Sequence, residues 1–185
     1  MNKRRIIKTS ILYISTLLAI LIIFKMSLVS NYIKLQGRNI VFPEEMICIP
    51  DDTRSPNLKA FRKPKIVIWV DSTECSSCRI GRLYEYEELY QQGCNEGFDV
   101  LVLFSPRADD FCEAQHMVRV HHFSFPVYFD VNNSFGKSNN IPSDIRFHAF
   151  LLDRDDCICF IGDPMSNLKL RNVFNDAIQS IVNER

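Results

Sequence analysis

Cys75-Ser76-Ser77-Cys78 lies at a seam between two kinds of chain, and that seam limits what can form around it. Before it runs Ile66-Val67-Ile68-Trp69-Val70, apolar throughout, as in a strand buried on both faces. After it, from Arg79 to Gln92, apolar residues recur at helical spacing. A strand feeding a helix puts the cysteine pair on the first helical turn. Backbone N–H groups lack partners there, and the helix dipole is positive. That field favours a thiolate, the reactive form of cysteine.

The alternation continues along the chain. Strands are expected over Lys65–Asp71, Asp99–Ser105 and Pro126–Asp130. The first helix is expected over Ser76–Gln92, with Ile80, Leu83, Tyr84 and Tyr90 on its apolar face. A second helix, capped by Asp109 or Asp110, runs to about His122. Asn132–Asn140 is polar and turn-like, with room for a short helix. Phe147–Asp153 and Cys157–Ile161 read as a hairpin around Arg154-Asp155-Asp156. The last helix is expected over Asn167–Val182, with Leu168, Val173, Phe174, Ile178 and Ile181 on its stripe. Asn39-Ile40-Val41-Phe42 reads as a short strand, and Ile49–Pro64 as a loop. This order predicts an α/β three-layer sandwich whose central mixed sheet is closed by a C-terminal β-hairpin and helix.

The N-terminus is a separate object. Lys3, Arg4, Arg5 and Lys8 precede an apolar run from Ile11 to Phe24, which resumes beyond Lys25 with Met26, Leu28 and Val29. As a helix, Thr9–Val29 spans ~32 Å, enough for the ~30 Å hydrocarbon core. Lys25 costs at most about 3 kcal/mol there, and a dozen Ile, Leu, Phe and Val residues together outweigh it. Leu28-Val29-Ser30 is a poor cleavage site, so an uncleaved anchor is expected. The expected organisation is a basic cytoplasmic tail (1–8), a transmembrane anchor (9–29), a tether with an N-terminal strand and loop (30–64) and a globular domain (65–185). The basic residues keep the N-terminus in the cytoplasm and place the domain in a disulfide-permissive compartment. Lys plus Arg number 22 and Asp plus Glu number 22, so no basic field argues for nucleic acid.

Cys75-x-x-Cys78 after a buried strand, the additional helix–strand unit over about Asp110–Asp130 and the Phe150-Leu151-Leu152-Asp153 hairpin resemble the thioredoxin fold. The chain is similar in particular to the membrane-anchored TlpA-type thioredoxins of bacteria, over roughly Lys65–Val182. The resemblance implies thiol–disulfide exchange with Cys75 as the attacking thiolate and Cys78 as the resolving thiol. Cys75 should be the more exposed of the two. It also implies protein thiols and disulfides of the periplasm as partners, a membrane electron donor and no cofactor. Arg79 and Arg82 would lower the thiol pKa, and Glu74 would oppose them. The chain departs from the family at three places. Trp69 stands where thioredoxins carry a buried acid six residues before the first cysteine. Asp71 is the candidate substitute as a proton shuttle. Phe147 falls in the slot of the cis-proline that faces the active site, and Ser76-Ser77 replaces Gly-Pro.

Other readings stand beside this one. Cys75 and Cys78 also suit a static disulfide, or part of a zinc or copper site with Cys157, Cys159 or His148. The departures at Trp69 and Phe147 suit a catalytically weak binding module at the membrane. Cys157 and Cys159 share a strand face and read as core thiols, Cys48 and Cys112 as packing thiols, and Cys94 as a packing or loop thiol.

Overall fold

A computed structural model describes residues 3–49, 51, 53–54 and 63–183. The chain divides into two compact units, one ending at Leu35 and the other beginning at Gln36. The first is a single helix, α1 (Lys3–Leu35). Its stretch Ser10–Leu35 has a mean hydropathy of 2.2 and is long and apolar enough to cross a membrane. Residues 30–35, expected as the start of a tether, continue the helix.

The second unit is built on a seven-stranded open sheet of order β2-β1-β5-β4-β3-β6-β7. Its strands are β1 (Met46–Ile49), β2 (Thr53–Arg54), β3 (Lys65–Val70), β4 (Asp99–Phe104), β5 (Val127–Asp130), β6 (Ala149–Leu152) and β7 (Ile158–Ile161). β3, β4 and β5 run parallel, while β6 pairs antiparallel with β3 and β7 with β6. The expected hairpin is therefore one edge of the sheet, and β1 lies antiparallel against β5 on the other side. The helices are α2 (Ser76–Ile80), α3 (Glu87–Glu96), α4 (Phe111–His121), α5 (Phe135–Asn139) and α6 (Leu168–Asn183).

Strand alternation splits β3 between two cores. Ile66, Ile68 and Val70 join Leu89 of α3, Val118 of α4 and Phe174 and Ile178 of α6 in one large cluster. On the opposite face Trp69 and Phe150 pack against Phe135 of α5, with ring centroids 5.8 and 6.3 Å apart. Parallel crossovers that advance in the same direction put their helices on one face, as α2–α3 and α4 do.

Four expectations need correction. The helix expected over Ser76–Gln92 is broken: α2 stops at Ile80, a 3-10 turn covers Leu83–Tyr86, and α3 continues to Glu96. Gly81 weakens the helix at the break, and the tighter turn shifts the phase. Tyr86 is therefore buried, whereas Tyr84, expected on the apolar face, is 65% exposed. On α6 the stripe runs through Leu170, Phe174 and Ile178, while Leu168 and Val173 are exposed. Asn39–Phe42 forms an isolated bridge from Asn39 to Cys157, and Met46–Ile49 is the first strand of the sheet. Phe147 lies in a 3-10 turn, Ile145–Phe147, so β6 begins only at Ala149. The loop expected over Ile49–Pro64 lies mostly outside the described residues; within it, Thr53–Arg54 is strand β2.

Candidate active site

Val70 ends β3, and Asp71–Glu74 turns the chain into α2. Asp71 O accepts the Glu74 N–H (3.0 Å), and the Asp71 carboxylate accepts the hydroxyls of Thr73 (2.7 Å) and Ser72 (3.3 Å). That carboxylate braces the turn it belongs to.

Cys75 is the N-cap of α2, with φ −71° and ψ 101°, and its sulfur accepts the Cys78 N–H at 3.3 Å. The two cysteines form a disulfide, with their Cα atoms 5.3 Å apart. Cys75, Ser77 and Cys78 are exposed, and Ser76 is buried. Cys78, expected one turn further in than Cys75, also reaches the surface. α2 has only five residues, so a long aligned dipole does not act on the motif. The Cys78 N–H is the local donor to the Cys75 sulfur.

Beneath the motif, Trp69 fills the slot where an acid was expected. Its indole N–H donates to Ser105 Oγ (2.9 Å), which donates to Asp130 Oδ2 (3.1 Å). Asp130 is 1% exposed and also accepts the backbone N–H groups of Ser134 (2.6 Å) and Phe135 (2.8 Å). The buried acid of this site thus sits at the end of β5, two hydrogen bonds from Trp69. The Trp69 ring leaves no room on α5: a Cβ on Gly136 would lie 2.4 Å from Trp69 Cη2. Gly136→Ala should destabilise the domain by about 1–3 kcal/mol, read as a lower thermal midpoint. An unchanged midpoint would show that the indole has slack.

Glu74 connects the motif to the loop before β6. Its Oε1 accepts the Asp71 N–H (3.1 Å) and lies 2.8 Å from His148 Nδ1, while His148 Nε2 bonds Pro142 O at 3.0 Å. His148 is buried, with its ring 4.4 Å from that of Trp69. Its backbone carbonyl accepts the Trp69 N–H at 2.8 Å. Glu74 Oε2 stands 3.3 Å from Arg79 Nε. Of the residues singled out from sequence, the structure joins Glu74 and Arg79 directly, leaves Asp71 in the turn, and buries Phe147 beside His148. Ser105 and Asp130 were missed, whereas His148, which the sequence offers as a metal ligand or more simply as a histidine satisfied by a neighbour, finds that neighbour in Glu74. A polar residue ends each of those two apolar strands, but no local pattern joins Ser105 and Asp130 to each other or to Trp69.

A groove of about 190 Å³ opens beside Cys75, lined also by Ser77, Arg107, Glu113 and Met117. A larger cleft of about 490 Å³ lies on the other side of α2, between Arg79, Arg82, Arg146 and Asp163. The other cysteines are differently placed. Cys157 and Cys159 are half-buried at the edge strand, outside the core expected for them. Burial, with the Asp153 charge next, pushes the Cys159 thiol up to about 11, and the same causes raise Cys157. Both therefore stay protonated and poorly nucleophilic. Among the described residues no group of three His, Cys, Asp or Glu side chains gathers that could hold a metal ion. Cys94 and Cys112 are exposed on α3 and α4, and Cys48 is buried in β1.

No protein-family model matches the sequence, and no curated protein matches it. Solved structures do match. A candidate thiol-disulfide oxidoreductase from Bacteroides vulgatus superposes with a TM-score of 0.59 at 18% identity, covering 80% of this chain and 98% of that one. An uncharacterized thioredoxin-like protein from Porphyromonas gingivalis gives 0.56 at 14% identity, covering 78% and 94%. A candidate thiol:disulfide interchange protein DsbE from Chlorobium tepidum gives 0.55 at 14%, covering 80% and 98%. At these identities the likeness is one of fold.

Proposed function

We propose that this chain, whose fold is thioredoxin-like, is a thiol–disulfide oxidoreductase held at a bacterial inner membrane by α1, with its domain in the periplasm. The observation that carries the reading is the Cys75–Cys78 disulfide at a strand-to-helix junction, with both cysteines exposed. Neighbours of the same fold described as thiol–disulfide oxidoreductases support it. Lys3, Arg4, Arg5 and Lys8 before the apolar stretch support an N-terminus in the cytoplasm.

In the reduced protein, the Cys75 thiolate attacks a substrate disulfide. A Cys75–substrate S–S bond forms, the substrate bond breaks, and the departing sulfur takes a proton. Cys78 then loses its proton and attacks the Cys75 sulfur, closing the Cys75–Cys78 bond and releasing the second substrate thiol. The substrate gains two electrons and two protons, and the protein gives them up. A thiol-bearing donor at the membrane reverses the change.

The test is alkylation trapping of the full-length protein in detergent across graded glutathione buffers. Cys75 and Cys78 should interconvert between dithiol and disulfide as one two-electron couple. A pair that stays in one state at every ratio is a static disulfide, and the proposal then fails.

A further inference from the structure

We infer that Glu74 and Arg79 form an opposed charge pair that sets the redox poise of Cys75–Cys78 and holds the couple on its reducing side. The inference rests on the redox reading above and adds which charges tune the couple. Glu74 immediately precedes the motif and Arg79 immediately follows it, so the two charges bracket the cysteines.

Their surroundings make both charges count. The Glu74 side chain is 10% exposed and that of Arg79 17% exposed. Glu74 Oε2 and Arg79 Nε are buried without a hydrogen bond and face each other at 3.3 Å, as charges rather than as donor and acceptor. The carboxylate cannot swing into water, because Asp71 N–H and His148 Nδ1 hold its other oxygen. A fixed, screened-from-water anion one residue from Cys75 disfavours a second anion on that sulfur. Arg79, the nearest cation in sequence, faces that carboxylate at 3.3 Å and offsets part of its charge, so removing either side chain unmasks the other.

Thiolate stability sets the potential of such a couple. Where the reduced form is stabilised, the disulfide is a strong oxidant; where it is not, the dithiol is a strong reductant. Here α2 is short, the Cys78 N–H is, among the described residues, the one backbone donor to the Cys75 sulfur, with Ser77 Oγ at 3.4 Å beside it, and the charge immediately before the motif is negative. These features favour the disulfide and make the reduced protein an electron donor to substrate disulfides.

The sign of two substitutions tests this. Equilibrium constants for disulfide formation against glutathione are measured on full-length protein in detergent. Glu74→Gln keeps an acceptor for Asp71 N–H and His148 but removes the charge and releases Arg79. The constant should fall about tenfold, roughly 30 mV toward oxidising. Arg79→Gln removes the opposing charge, and the constant should rise severalfold. Glu74→Asp, which keeps the charge, should stay within about twofold of wild type and gives a reading if the Gln variant folds poorly. A merely structural network would lower thermal stability in both Gln variants without opposed shifts. Shifts of the same sign, or none, overturn the inference. A wild-type couple that never interconverts overturns instead the redox reading beneath it.

Discussion

Cys75→Ser should reduce insulin-disulfide reduction to the uncatalysed background, a loss of roughly a thousandfold or more, while Cys78→Ser should trap substrate. The two cysteines both belong to the exposed class, so that class does not separate their roles. Hydrogen bonding does. The Cys75 sulfur accepts the Cys78 N–H at 3.3 Å and lies 3.4 Å from Ser77 Oγ, so a thiolate there has two donors within reach. A serine hydroxyl at position 75 titrates far above any working pH and cannot replace that thiolate. With Cys78→Ser the first attack survives but the resolving attack does not, so a mixed disulfide with Cys75 should accumulate. Mass spectrometry of the protein incubated with a disulfide peptide would show one peptide per chain. If Cys75→Ser is the variant that traps peptide, the assignment of attacking and resolving sulfurs is reversed. If Cys78→Ser turns over normally, another thiol resolves the intermediate, and exposed Cys112 on α4 is the first to examine.

What the sequence made legible here depended on whether the forces were local. β3 and β4 are continuous apolar runs, and both appear within a residue of where periodicity placed them. The hairpin of β6 and β7 followed from its turn residues, and Asp156 in that turn has φ 61°, a conformation Asp tolerates. The same local reading failed at Gly81, because the Ile80–Leu83 break trades helical hydrogen bonds for burial of Leu83 and Tyr86. It failed again on α6, where Leu168 and Val173 have the right character but the wrong angular position. The site itself was half legible. The cysteine motif is contiguous, but Glu74 meets a partner 74 residues away, His148, and Ser105 meets Asp130 across 25. Nothing in a local window announces such pairs. The missing acid at Trp69 marked the place where a long-range substitute had to be sought.

The Lys65–Asp156 pair gives the largest expected effect on stability, and it closes the end of β3 away from the cysteines. Lys65 opens β3 with 1% exposure, and its Nζ meets Asp156 Oδ1 at 2.5 Å. The strand leaves the side chain no route to water. Asp156 sits in the β6–β7 turn, 23% exposed, where its backbone carbonyl also accepts the Ile40 N–H at 2.8 Å. The two partners are therefore unequal. Asp156→Asn keeps the left-handed turn residue but leaves a buried ammonium uncompensated, and should cost about 3–5 kcal/mol. That is a large part of the ~5–15 kcal/mol that holds a domain of ordinary stability. Lys65→Met leaves a carboxylate that water already reaches and fills the same volume with apolar atoms, so it should cost less than about 1 kcal/mol. The double variant should therefore recover most of what Asp156→Asn loses. Urea unfolding followed by the fluorescence of Trp69, the single tryptophan, reads all four proteins. Equal losses in the two single variants would mean that both charges are buried alike. An Asp156→Asn midpoint at the wild-type value would mean that the ammonium escapes to solvent, and the pair would then contribute little to the fold.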